Sequence, residues 1–159
     1  MIEKDQYTKF KLSPASYIIF IQTDKILLLK RQNTGFMDGF YSVPAGHLEG
    51  AETFTTCAVR EAEEEVGVRI EESDLEAVHL MHRYELNRPF IGDDKTLNER
   101  MDCFLLAKKW QGEIRNTEPD KCSELQWCEI NDLPEKIVPY VKHAIESYRK
   151  GVFYSEYGW

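Results

Sequence analysis

The stretch GHLEGAETFTTCAVREAEEEVGV, Gly46 to Val68, poses an electrostatic problem. Glu61, Glu63, Glu64 and Glu65 crowd into one short segment of a 159-residue chain whose formal net charge is already −8. Thr53 to Val66 contains neither Gly nor Pro and lies between Gly50 and Gly67, which predicts a helix of about four turns with Gly67 as its C-terminal cap. At about 100° per residue, Phe54, Ala58, Ala62 and Val66 make an apolar stripe that faces a core. Glu61 and Glu65 fall at the edge of that stripe, Glu64 lies a little further round, and Glu63 points away. Like charges at i and i+4 cost about 0.2–0.5 kcal/mol on an exposed helix, and burial raises the cost. Protonation relieves it, and so does a bound cation; a cluster made only of oxygens suits Mg²⁺ or Mn²⁺. The plainer reading is a solvated helix face.

Outward from this helix, Ser16–Gln22 and Lys25–Gln32 are apolar runs separated by Thr23-Asp24, the pattern of a hairpin. Asn33–Gly46 carries three glycines and a proline and is expected to be a long shaped loop. Leu75–Leu86 and Met101–Trp110 read as strands joined by a polar connection around residues 92–99, and Glu124–Ile130 as a shorter strand. A second helix is expected from about Pro134 to Lys150, with Pro139 as a kink or restart. The order strand, strand, loop, helix, strand, strand, strand, helix predicts one mixed domain, residues 1–159, with helices packed on a sheet.

A hydrophobic share of 42% and a charged share of 30% are those of a soluble globular protein. No apolar run approaches the roughly 20 residues that span a bilayer, and the opening MIEKDQYTKFKL has no apolar signal core, so a cytoplasmic protein without membrane partners is expected. The acidic balance argues against binding a nucleic-acid polymer but leaves nucleotides open, because cations can sit between acidic side chains and phosphates. Cys57, Cys103, Cys122 and Cys128 show no C-x-x-C spacing and are expected to be reduced thiols in the core.

With these elements in place, the stretch resembles the Nudix box, G-x5-E-x7-R-E-U-x-E-E-x-G-U, where U is a bulky aliphatic. Gly46, Glu52, Arg60, Glu61, Glu64, Glu65 and Gly67 occupy every fixed position and Val68 the last U; only Ala62 is smaller than the pattern's ideal. A chance match to seven such positions is on the order of 10⁻⁶ over a chain this long. The resemblance implies a Nudix-type α/β/α sandwich with a mixed β-sheet between helices, and Mg²⁺-dependent hydrolysis of a nucleoside diphosphate linked to a group X. It implies Glu61, Glu64, Glu65 and the Gly46 carbonyl as metal ligands, Arg60 as the residue that orients the carboxylates, and Glu52 as support. For the general base it leaves Glu61, then Glu118. A homodimer is a habit of the family.

Beyond the box, Arg31, Arg83 and Arg100 lie at or near strand ends and are candidates for clamping phosphates, against the alternative of surface ion pairs. Tyr41, Tyr84 and Trp127 are candidates for stacking on a base, against the alternative of core packing. ADP-ribose hydrolases of the family tend to carry a proline some fifteen residues past the box, and none stands there. Tyr84 lies about where dinucleoside polyphosphate hydrolases place a tyrosine. Modest length favours MutT-type enzymes, which act on nucleoside triphosphates, oxidised ones included, releasing a monophosphate and pyrophosphate. ADP-ribose or dinucleoside polyphosphate hydrolysis is the alternative, and a nucleotide-sensing Nudix module without turnover stands beside both. The tail, residues 152–159, holds Phe153, Tyr154, Tyr157 and Trp159; it docks on its own domain, packs across a dimer or lids the pocket.

Overall fold

The structure, a computed structural model, describes residues 10–85 and 98–159. Most of the polar connection expected around residues 92–99, and most of the N-terminal segment read for a signal, lie outside the described residues. Strands β1 (Ser13–Gln22) and β2 (Lys25–Arg31) form the expected hairpin. Helix α1 (Phe54–Val66) follows, then β5 (Leu75–Tyr84), β6 (Glu99–Ala107), β7 (Cys122–Glu129) and helix α2 (Pro139–Arg149). The segment expected to be all loop folds around two short strands, β3 (Tyr41–Ser42) and β4 (Ala45–His47). The tail supplies β8 (Tyr154–Tyr157).

These strands form one eight-stranded mixed sheet in the order β3-β2-β1-β6-β5-β8, with β4 on β1 and β7 on β2. Strand β1 runs parallel to β6, from Ser13 against Arg100 to Phe20 against Ala107. Strands that are buried on both faces read as continuous apolar runs rather than as alternation. The reason is visible here: Tyr17 and Ile19 pack with Val141, Ala144 and Ile145 of α2, whereas Ile18 and Phe20 pack with Ala58, Ala62 and Val66 of α1. The sheet is therefore sandwiched between two helices. Among the described residues no helix is long and apolar enough to cross a membrane. The four cysteines are free and buried.

Helix α2 begins five residues later than expected. Pro139 sits at its first position, where no amide is needed, and it disfavours helical dihedrals at Val138, which is at φ −55°, ψ 123°. The preceding segment is used instead as an extended bridge: Tyr41 N donates to Lys136 O at 2.7 Å, and Val138 N to Tyr41 O at 2.9 Å.

The tail docks on its own sheet. Strand β8 runs parallel to the edge strand β5, and Leu80 N donates to Phe153 O at 2.7 Å. Beneath it His79 is fully buried, with Nδ1 2.8 Å from Val152 O and Nε2 2.8 Å from Ser155 Oγ. A carbonyl only accepts, so Nδ1 carries the proton and Nε2 accepts from the serine hydroxyl. Burial holds the His79 pKa below its ordinary value, despite the carbonyl's opposing pull. Deleting residues 152–159 removes the β8 ladder, both bonds to His79 and the tail's ring contacts, and is expected to cost at least about 2 kcal/mol. A depressed histidine pKa makes the unfolded chain bind the proton first, so stability present above about pH 6.5 declines as pH falls through the lowered folded value. Denaturant melts from pH 8 to 5 should show this decline in the full chain and a weaker one in the truncated chain.

Candidate active site

The N-terminus of α1 is fixed by Thr53, whose hydroxyl accepts from Thr56 N at 3.1 Å, and by Ser16 of β1, which donates to Phe54 O at 2.7 Å. At the other end Gly67 adopts φ 71°, in the left-handed region, and its N–H caps the helix with Val68 N: Gly67 N to Glu63 O at 3.2 Å, Val68 N to Ala62 O at 3.4 Å. The segment after Gln111 returns to cap the helix as well. Arg115 N donates to Val66 O, Thr117 N to Glu65 O and Thr117 Oγ1 to Glu64 O, which delivers Glu118 to the carboxylate end of α1.

Strand β4 crosses α1 at Gly46. A Cβ at that position would lie 1.8 Å from Glu61 Oε1, so only glycine permits the approach. The Gly46 carbonyl accepts a weak bond from the Cys57 thiol at 3.5 Å. Glu65 accepts from Ala45 N at 2.8 Å. The backbone of β4 and the carboxylates of α1 thus share one small volume.

Arg60 organises that volume. Its Nε and Nη2 grip both oxygens of Glu52 at 2.7 and 3.0 Å, Nη1 reaches Glu61 at 2.6 Å and Glu64 at 3.3 Å, and Nη2 also donates to His47 O at 3.2 Å. The fork drives the Glu52 pKa down to about 2. Glu61 is 9% exposed, and burial holds its carboxyl above the ordinary value against the pull of Arg60, with Glu64 and Glu118 adding repulsion. Glu65 is pushed up to about 8, by burial first and by Glu61 and Glu118 after it, with Ala45 N opposing. Among the described residues no three acidic, His or Cys side chains are gathered as a ready-made cation cage. The donors are nonetheless all oxygen and carry charge that is only partly compensated, which fits a hard divalent cation in type.

The carboxylates open on a cavity of about 350 Å³. Glu61, Glu64, Glu65 and Glu118 form part of its wall, while Arg31, Arg83, Arg100 and Lys121 also line it, with Tyr17, Phe36 and Tyr140 as aromatic surfaces.

Residues 11–148 match the family model of the NUDIX domain. The chain belongs to the NUDIX family. Curated Nudix relatives include the NAD-capped RNA hydrolase NudC of Pseudomonas aeruginosa, 31% identical over 124 residues, and that of Photobacterium profundum, 28% identical over 124 residues. Each alignment covers 78% of this chain, which spans about two fifths of those proteins, 38% and 40%. Among solved structures, the MutT NUDIX hydrolase from Burkholderia pseudomallei aligns at TM-score 0.70 and 24% identity, over 86% of this chain and 97% of that one. An ADP-ribose pyrophosphatase from Streptococcus suis aligns at TM-score 0.56 and 14% identity, over 92% and 98% of the two chains. At these identities the structural likeness defines the Nudix fold alone.

Within that fold the residues singled out by sequence separate into two groups. Gly46, Glu61, Glu64, Glu65, Glu118, Arg31, Arg83 and Arg100 all line the cavity. Glu52 and Arg60 stand behind its wall and reach it through Glu61 and Glu64. Tyr41 does not line it; its hydroxyl donates to Glu124 at 3.1 Å and its ring lies under Lys30. Tyr84 packs on Trp159 and Trp127 on the core beside α1, so neither faces the cavity. Arg31 is held by the loop, with Nε donating to Phe36 O at 2.8 Å and Nη2 to Thr34 Oγ1 at 3.0 Å. Tyr17, Phe36, His47, Lys121 and Tyr140 line the cavity without any motif to announce them.

Two substitutions test this construction. Arg60→Met removes the fork, and the Glu52 pKa is expected to rise from about 2 towards the ordinary carboxylate range, short of it while Glu49 N still donates to the carboxylate, read by ¹³C NMR. Gly46→Ala forces Glu61 aside and is expected to cost about 1–3 kcal/mol in denaturant melts, whereas Ala at Gly50, which meets no neighbour within 4 Å, leaves stability nearly unchanged.

Proposed function

We propose that the chain hydrolyses a nucleoside diphosphate linked to a further group, most favourably a nucleoside triphosphate, oxidised bases included, to a monophosphate and pyrophosphate. The observation that carries this reading is one cavity lined both by carboxylates from α1 and by guanidinium groups from β5 and β6. The first suits cations and the second suits phosphates.

Glu61, Glu64, Glu65 and the Gly46 carbonyl would hold Mg²⁺, with Mn²⁺ as a substitute. Bound there, the cation supplies Lewis acidity toward the diphosphate and acidifies water. Glu64 has the longest bond to Arg60 and the most exposed carboxylate of the set, so it is the ligand freest to turn, while Glu52 keeps the guanidinium in place. Arg31 and Lys121 orient the phosphate chain from the loop side, and Tyr17, Phe36 and Tyr140 exclude water around the ligand. Glu61 accepts the proton of the attacking water, with Glu118 at the helix end as the second candidate. We read residues 1–159 as one cytoplasmic domain.

The curated relatives favour a second substrate class, an NAD-capped RNA, since that is what their names state; NAD itself carries the same kind of diphosphate and is tested beside it. A panel of nucleoside triphosphates, 8-oxo-dGTP, ADP-ribose, dinucleoside polyphosphates, NAD and NAD-capped RNA, followed by ³¹P NMR with Mg²⁺, ranks the classes. Pyrophosphate and monophosphate from the triphosphates, at a higher kcat/KM than any product from NAD, is the expected result; cleavage of NAD alone would reassign the substrate. Glu64→Gln is expected to lower kcat/KM by about 10²–10³-fold. Turnover in that variant close to wild type would refute the ligand assignment, and binding without turnover in the wild type would make the chain a sensor. Glu61→Gln and Glu118→Gln distinguish the two base candidates by their pH–rate profiles.

A further inference from the structure

Glu118 belongs to neither helix nor strand: it lies on the segment between β6 and β7, yet it lines the cavity with Glu61, Glu64 and Glu65, and its charge acts on Glu61 and Glu65. Carboxylates gathered in one lining repel each other, so a loop residue stays among them only if its backbone is held. The turn first closes on itself. Lys121 N and Cys122 N both donate to Glu118 O, at 3.0 and 2.9 Å. Asn116 then clasps the main chain on both sides of Glu118: its Oδ1 accepts from Glu118 N at 3.1 Å, and its Nδ2 donates to Cys122 O at 2.7 Å. An amide side chain offers an acceptor and a donor together, and this turn uses one of each.

A second set of bonds reaches this turn from the loop after β2. Gln32 Nε2 donates to Pro119 O at 2.6 Å, Asn33 Nδ2 to Asp120 O at 2.9 Å, and Gln32 N to Lys121 O at 2.9 Å. Asn33 stands at φ 54°, in the left-handed region that asparagine enters more readily than most residues. Directly after it Thr34 opens a turn closed by Asp38, whose carboxylate accepts from Thr34 N and Gly35 N, each at 3.1 Å. Phe36, within that turn, lines the cavity. The turn that carries Glu118 and the loop that carries Phe36 are therefore tied together by side chains as well as by main chain. We propose that Asn116 is the positioning residue for Glu118, and that Gln32 and Asn33 lock its turn to the Phe36 loop, so that the acidic and aromatic linings keep a fixed spacing. The proposal rests on the hydrolytic reading above only for the part that Glu118 takes in turnover. Asn116, Gln32 and Asn33 act through the main chain and touch no reacting atom.

The test uses the full chain and two readouts. Amide hydrogen exchange without ligand is read at Lys121 and Cys122, whose acceptor, Glu118 O, none of the substitutions removes. Asn116→Ala and Asn33→Gly are each expected to speed exchange there by about tenfold or more, while the amides of α1 keep wild-type rates. Glycine adopts the left-handed backbone without strain, so Asn33→Gly deletes the amide and spares the turn. Unchanged exchange at Lys121 and Cys122 in both variants would overturn the proposal. Turnover is read with Mg²⁺ and 8-oxo-dGTP. Asn116→Ala is expected to lower kcat about tenfold with KM nearly unchanged, and to cost nothing further in a Glu118→Gln background, because a residue that acts through Glu118 then has nothing to position. Equal losses in both backgrounds would make Asn116 merely structural and overturn its role. Asn33→Gly is expected to raise KM as well, since it loosens the Phe36 loop. Wild-type turnover by Glu118→Gln, with exchange still quickened by Asn116→Ala, would remove Glu118 from the reaction and leave the pinned turn standing. No turnover of 8-oxo-dGTP by the wild type would sink the triphosphate reading, and the exchange rates would then decide the proposal alone.

Discussion

The guanidinium of Arg60 is what allows a helix so rich in carboxylates to lie against the sheet. Glu52, Glu61 and Glu64 come from different turns and from the loop before the helix, yet all three contact this one group. Without it, Glu61 would be a nearly buried anion facing Glu65 and Glu118, and its burial would be opposed by several kcal/mol of desolvation. With it, the anion is stabilised at one oxygen, and the rest of the cluster is left underneutralised toward the cavity. The bidentate grip on Glu52 makes the hub rigid, because two parallel bonds fix the plane of the fork. Stability and poise therefore come from the same group: Arg60 compensates enough charge for the fold and too little for the cavity.

Much of this was legible because it is written in spacing along one helix. Which carboxylates converge follows from the helical period, and the places of Gly46 and Gly67 follow from the box. The guanidinium groups of the lining were legible only in part. Arg83 and Arg100 lie at the end of the β5–β6 pair, and their register across the sheet, not their local sequence, places them side by side. Tyr17 and Tyr140 touch hydroxyl to hydroxyl at 3.2 Å from positions 123 residues apart, a contact that no local pattern can encode. Tyr41 shows the converse. By sequence it is a candidate for stacking on a base, but its backbone pairs with Lys136 and Val138 and its hydroxyl donates to Glu124.

The second helix and the tail share another limit of sequence reading. Both involve segments whose composition suits one structure while their neighbours impose another. Residues 134–138 could extend a helix by propensity, but Pro139 is stable only as a helix start and β3 needs a backbone partner, so the segment is drawn out straight. The aromatic tail has high strand propensity and arrives beside β5, whose outer edge would otherwise be bare. A four-residue strand is enough to cover that edge, and its shortness limits the new edge it creates. Trp159, 64% exposed, still contacts His82 and Tyr84, so the chain's end is held by rings as well as by the ladder.

The arrangement of charge follows from this topology. Helix α1 contributes carboxylates at its C-terminal half, where the helix dipole offers them no relief; Arg60 meets Glu61 and Glu64, and Ala45 N meets Glu65. Strands β5 and β6 contribute two guanidiniums at one end of their pair, and that of Arg83 is ion-paired with Asp102 and Glu85. Strand β4 joins the two regions, since Gly46 meets Glu61 and His47 meets Arg100 in adjacent residues. A ligand that carries negative charge and brings cations with it satisfies both walls at once, whereas a neutral ligand satisfies neither. The charged lining thus favours a charged ligand over a neutral one, with Tyr17, Phe36 and Tyr140 as aromatic surfaces beside it.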